Sequence, residues 1–68
     1  MELSARNQLA GRVLAVRLGT IMAEVTIDLG GGKSLTSVIT RGAVDRLGLK
    51  EGDQVTAVIK ATSVMIGK

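Results

Sequence analysis

The chain contains no cysteine, no histidine and no aromatic residue, and each absence closes a class of function. Without thiolates or imidazoles there are no ligands for structural zinc or for an iron–sulfur cluster. Disulfides are excluded for the same reason. The usual activating partners of a serine, threonine or lysine nucleophile are also gone. Without Phe, Tyr or Trp there is no platform on which the bases of a single-stranded nucleic acid could stack. Carboxylates are few, and Glu2, Glu24, Asp28, Asp45, Glu51 and Asp53 are scattered over predicted strand faces, a helix and turns, with no metal loop among them. No apolar run approaches the roughly 20 residues of a membrane-spanning helix, and the opening MELSARNQ lacks the apolar core of a signal peptide. The expectation is therefore a soluble, cytoplasmic protein with no enzymatic activity and no membrane partner.

What is present is small and aliphatic. The chain has 68 residues, 46% of them hydrophobic, with a mean hydropathy of +0.36. That length predicts one domain spanning residues 1–68. So short a chain buries only about 60% of the surface its unfolded form exposes and needs reinforcement. With disulfides and metals excluded, self-association is the remaining way to bury the aliphatic surplus. A net charge of +3 and a pI near 10.0 favour anionic partners, nucleic acids and small oxyanions alike.

Periodicity predicts mostly strands. Residues 9–18 alternate only in part, with Val13, Leu14, Val16 and Leu18 among Arg12, Ala15 and Arg17. In IMAEVTIDLG, Ile21, Ala23, Val25, Ile27 and Leu29 fall on one face and Met22, Glu24, Thr26 and Asp28 on the other. GGGK then supplies a turn at which glycine accepts positive φ, and SLTSVIT returns as the second arm of a hairpin. In RGAVDRLGLKEGD, Ala43, Val44, Leu47 and Leu49 fit a short helix stopped by Gly48. QVTAVIKA reads as a buried strand through Val55, Ala57 and Ile59, and SVMIG as a fifth, closing strand. The predicted class is all-β with one short helix, an OB-like five-stranded β-barrel.

GGGK joins two strands and lacks the phosphate-loop spacing, so it is read as turn chemistry. The informative stretches lie at the two ends of the chain. SARNQ brings the Ser4 hydroxyl, the Arg6 guanidinium, the amides of Asn7 and Gln8 and consecutive backbone N–H groups. IKATS brings Lys60, Thr62, Ser63 and further N–H groups. Neither contains an acid. A tetrahedral oxyanion offers only acceptors, so many donors and no carboxylate are what a selective site requires.

SARNQLAGRV followed by LGLKEGDQVTAVIKATSVMI resembles the molbindins, small cytoplasmic molybdate-binding proteins built from a single Mop or TOBE domain. The resemblance runs through the whole chain in order and spacing. It implies an OB-like barrel assembled as a homohexamer, a trimer of dimers, with molybdate held between subunits for molybdenum storage or homeostasis and no other cofactor. Tungstate, close to molybdate in charge and geometry, is expected to bind too, and sulfate to be too small to reach every donor. Position by position, the resemblance points to Ser4 and Arg6, with Ala5 and Asn7 as further donors. It also points to Lys60 and Ala61, with Thr62 alongside, and to the Thr40 hydroxyl at the end of the third strand. A hydroxyl that related sequences carry three residues later is Ala43 here. The amides of Asn7 and Gln8 are alternatively expected to tie the N-terminal segment to a neighbouring subunit. The competing reading is a basic DNA-binding regulator of the swapped-hairpin type, contacting phosphates through Arg12, Arg17, Arg41 and Arg46.

Overall fold

The computed structural model describes residues 2–68. Four strands form one antiparallel sheet: β1 (Asn7–Leu18), β2 (Met22–Gly30), β3 (Lys33–Thr40) and β4 (Gln54–Ile59). A short helix, α1 (Arg41–Leu47), follows β3, and a single 3-10 turn, Ala61–Ser63, follows β4. The sheet order is β3-β2-β1-β4. The class is the one expected, mostly β with one short helix in an OB-like arrangement.

The predicted hairpin forms as read. β2 and β3 pair from Met22↔Thr40 to Gly30↔Lys33, so Gly31 and Gly32 make the turn, and the Asp28 carboxylate accepts from the Gly30 N–H at 2.9 Å. The alternation of β2 becomes a buried row of Ala23, Val25 and Ile27. Ile21 falls outside that row: it lies in the β1–β2 turn and is 74% exposed.

The partial alternation of β1 has a specific cause. Val13 pairs with Ile27 but Ala15 with Thr26, so Leu14 is an extra residue, a β-bulge. The bulge shifts the inward set from Gly11 and Val13 to Val16, leaves Leu14 exposed and adds local twist that curls the sheet. At Gly11 the backbones approach closely. A Cβ there would stand 2.5 Å from Ile27 Cγ2 and 2.8 Å from the Asp28 carbonyl oxygen.

Thr40 caps α1: its Oγ1 accepts from the Ala43 N–H at 3.1 Å. Gly48 ends the helix at φ 61°, in the left-handed region, where it returns its N–H to the Asp45 and Val44 carbonyls. Of the apolar stripe expected on this helix, Val44 is buried and Ala43 and Leu49 half-buried, whereas Leu47 is 68% exposed.

The core is correspondingly thin: Val13, Ala23, Val25, Ile27, Val44 and Ala57.

The fifth strand does not form within the chain. After β4 the Ser63 N–H donates to the Lys60 carbonyl and the Val64 N–H to that of Ala61, turning the chain off the sheet. Residues 64–68 then run exposed, Met65 at 92% and Ile66 at 89%. Among the described residues β3 and β4 remain unpaired edges, and the seam between them is a groove of about 660 Å³ lined by Leu35, Ile39, Val55, Ile59 and their neighbours. The openness is measurable. The accessible surface is 5415 Å² for 7.0 kDa, against roughly 4,000 Å² for a folded monomer of that mass. The radius of gyration of 12.4 Å likewise exceeds the value of about 11 Å for a compact chain of this length.

Candidate functional site

The groove at the barrel seam is lined mainly by apolar side chains and by no cation. The acid-free donors lie elsewhere, and strand pairing brings most of them together. β1 pairs with β4 from Asn7↔Ile59 to Arg12↔Gln54. Residues 4–6, which lead into β1, and residues 60–62, which leave β4, therefore emerge side by side at one end of the sheet. One step beyond the Asn7↔Ile59 pair, Arg6 and Lys60 fall at opposing register positions. Both lie just beyond the ladder, and among the described residues neither cation has an acidic partner within ion-pair distance.

The backbone at this end also carries open donors. Ser4, Ala5 and Arg6 precede the strand, and among the described residues none of their N–H groups finds an acceptor. The N–H groups of Ala61 and Thr62 open the 3-10 turn and have none either. Ala5 and Asn7 are half-buried; Ser4, Arg6, Lys60, Ala61 and Thr62 are exposed. Asn7 is engaged through its backbone in the β1–β4 ladder. Gln8 is used within its own chain, its amide Nε2 donating to the Ala5 carbonyl at 2.8 Å.

Thr40 stands apart. It pairs with Met22, and the next residue, Ala23, pairs with Leu18, the last residue of β1. Asn7 is the first. The 12 residues of β1 span a contour of about 35–40 Å, comparable with the longest dimension of the molecule, 35 Å. By register, one chain thus presents Ser4, Ala5, Arg6, Asn7, Lys60, Ala61 and Thr62 at one end of β1 and Thr40 at the other. The Thr40 oxygen already accepts from Ala43, which leaves its O–H free to donate outward. The cap went unread in the sequence, although a threonine preceding a helical stripe is its usual signature.

The arginines of the DNA-binding reading lie on β1 and α1. Arg12 stands opposite Asp28 in the β1–β2 register, and Arg17 lies 3.9 Å from Glu24 Oε1. Arg41 donates to the Gly19 carbonyl at 3.3 Å. The Arg46 guanidinium lies over Gly42 on the helix.

The TOBE domain family model matches residues 3–66. The chain belongs to the TOBE-domain family. This TOBE domain is 52% identical over 66 residues to molybdenum-pterin-binding protein 3 of Clostridium pasteurianum, covering 97% of each chain. Among solved structures, it superposes on a molybdate-binding protein from Sporomusa ovata with a TM-score of 0.93, at 40% identity and full coverage of both chains. It also matches the cytoplasmic molybdate-binding protein ModG, crystallised with molybdate bound, with a TM-score of 0.85 at 51% identity. That match covers 90% of this chain and 43% of ModG. These relatives are named for binding, not for catalysis. No helix among the described residues is long and apolar enough to cross a membrane.

Proposed function

We propose that this protein binds molybdate reversibly in the cytoplasm, for storage or homeostasis of molybdenum, and performs no chemistry on it. The observation that carries the reading is the pairing of Asn7 with Ile59, which sets Arg6 opposite Lys60 within an acid-free cluster of open N–H and hydroxyl donors. Arg6 and Lys60 neutralise the dianion; Ser4, Asn7 and the N–H groups of Ala5, Ala61 and Thr62 surround its oxygens. Tungstate fits the same donors. A pterin ring would want an aromatic neighbour to stack on, and the chain has none, which favours the free oxyanion over a pterin conjugate.

The site belongs between subunits. Within one chain the cluster lies open to water, where each charge-assisted bond is weak, and Thr40 is at the far end of β1. A second copy bringing its Thr40 to this cluster completes the donor set and lowers the local dielectric. The excess accessible surface, the exposed Val64, Met65 and Ile66 and the unpaired edges all favour such self-association. A homohexamer arranged as a trimer of dimers, each subunit a single domain over residues 1–68, accommodates these features.

The test is isothermal titration calorimetry with sodium molybdate, run beside tungstate, sulfate, phosphate and a DNA duplex at physiological salt, with light scattering on the same samples. Tight molybdate and tungstate heats with little from sulfate, on an oligomer, support the reading. Salt-sensitive DNA binding without molybdate heat would replace it with the regulator.

A further inference from the structure

Gln8 follows the donor run SARN and, as an exposed side chain at the second position of β1, has no packing role that demands an amide. Its Nε2 nonetheless donates to the carbonyl of Ala5, three residues back, at 2.8 Å. The bond matters because of what shares the peptide plane. The Ala5 carbonyl and the Arg6 N–H belong to one planar trans unit and point in opposite directions. Fixing the carbonyl toward Gln8 therefore fixes the Arg6 N–H away from it. That N–H has no acceptor among the described residues. Residue 6 also lies outside the β1–β4 ladder, which holds the backbone only from Asn7 onward.

Resting on the oxyanion reading above, we infer that Gln8 is a positioning residue for the anion site. It does two things without touching the anion. It occupies the Ala5 carbonyl, the one kind of backbone group that would repel an oxyanion, and it holds the 5–6 peptide with its N–H presented as a donor. Without it, the segment before Asn7 is free to rotate this peptide, and each binding event must pay to order it. Pre-ordering of this kind changes affinity without changing which groups make contact.

The isosteric variant Gln8→Met keeps the stem and removes the donor, and Gln8→Glu replaces the donor with an acceptor that cannot hold a carbonyl. Both are measured against the intact protein by calorimetry with sodium molybdate. Amide hydrogen exchange and 15N spectra are recorded with and without the anion. The expected result is a dissociation constant raised about 3- to 10-fold in Gln8→Met and more in Gln8→Glu. The melting temperature stays unchanged, and in the anion-free variant the Arg6 amide is displaced and broadened while the Asn7 amide remains in place. Equal molybdate affinity and an unshifted Arg6 amide in Gln8→Met would overturn the inference while leaving the binding function intact. Failure of the unaltered protein to bind molybdate would overturn the function itself.

Discussion

Thr40 is assigned two tasks, helix cap and anion donor, and substitution can separate them. Its Oγ1 accepts the Ala43 N–H at 3.1 Å, in a helix of only 7 residues whose first turn has no acid to help. Thr40→Ala removes cap and donor together. Loss of such a cap costs about 1 kcal/mol, and for a domain of this size each kcal/mol lowers the melting temperature by about 4–8 °C. Losing one hydrogen bond to a charged ligand costs roughly 1.5–3 kcal/mol, or about 10- to 150-fold in affinity. Thr40→Asp is the discriminating variant. Aspartate caps as well as threonine and its charge suits the helix N-terminus, but a carboxylate cannot donate and repels a dianion. The expected outcome is a melting temperature within about 2 °C of the unaltered protein with molybdate binding lost beyond the Thr40→Ala level. Thermal melts and calorimetry at one fixed protein concentration decide it, since self-association makes both concentration-dependent. Thr40→Asp binding molybdate at full affinity would refute the donor role and leave Thr40 a cap alone.

Arg6→Ala and Lys60→Ala should each weaken molybdate binding at least 10-fold, the order expected for a charged hydrogen-bond partner. Circular dichroism should stay unchanged because both side chains are exposed; unaltered titration curves for both would remove the cationic pair from the site. Gly11→Ala must force β1 from β2, since the new Cβ would meet the Asp28 carbonyl oxygen at 2.8 Å. Overpacking of this kind costs about 1–3 kcal/mol, read as a melting temperature lower by on the order of 10 °C; an unchanged melt would contradict the close approach. Ile66→Asp places a charge on a side chain that is 89% exposed in the single chain. It should leave secondary structure intact and reduce the assembly mass by light scattering, whereas an unchanged mass would show that the tail takes no part in association.

The hairpin was legible because β2 is half-buried along its whole length, so period two survives from Ala23 to Ile27 and a glycine turn follows at once. β1 was harder. The bulge at Leu14 inserts a half-period, and a pattern scored with one phase reads as noise where two phases meet. SVMIG carries the composition of a strand, but the Ala61–Ser63 turn takes it off the sheet, and among the described residues it pairs with neither open edge. For the site, SARNQ and IKATS were legible as donor-rich and acid-free, and the β1–β4 pairing places them together. Composition gives no sign, however, that Thr40 lies at the other end of β1, because distance along a sheet depends on register. Nor does it show that Gln8 bonds to Ala5, a contact set by local backbone direction.

The separation of Thr40 from the Arg6 and Lys60 cluster also bears on stoichiometry. Each chain carries one end of each sort. If the end bearing Thr40 completes the cluster of a neighbour, every contact consumes one of each. In an assembly closed by rotation, whether head to tail or about two-fold axes, all ends are matched, and interfacial anions and chains are equal in number. An open row leaves an unmatched end at each extremity, and its ratio falls below unity by an amount that depends on its length. Counting molybdenum atoms per chain therefore measures whether the symmetry closes.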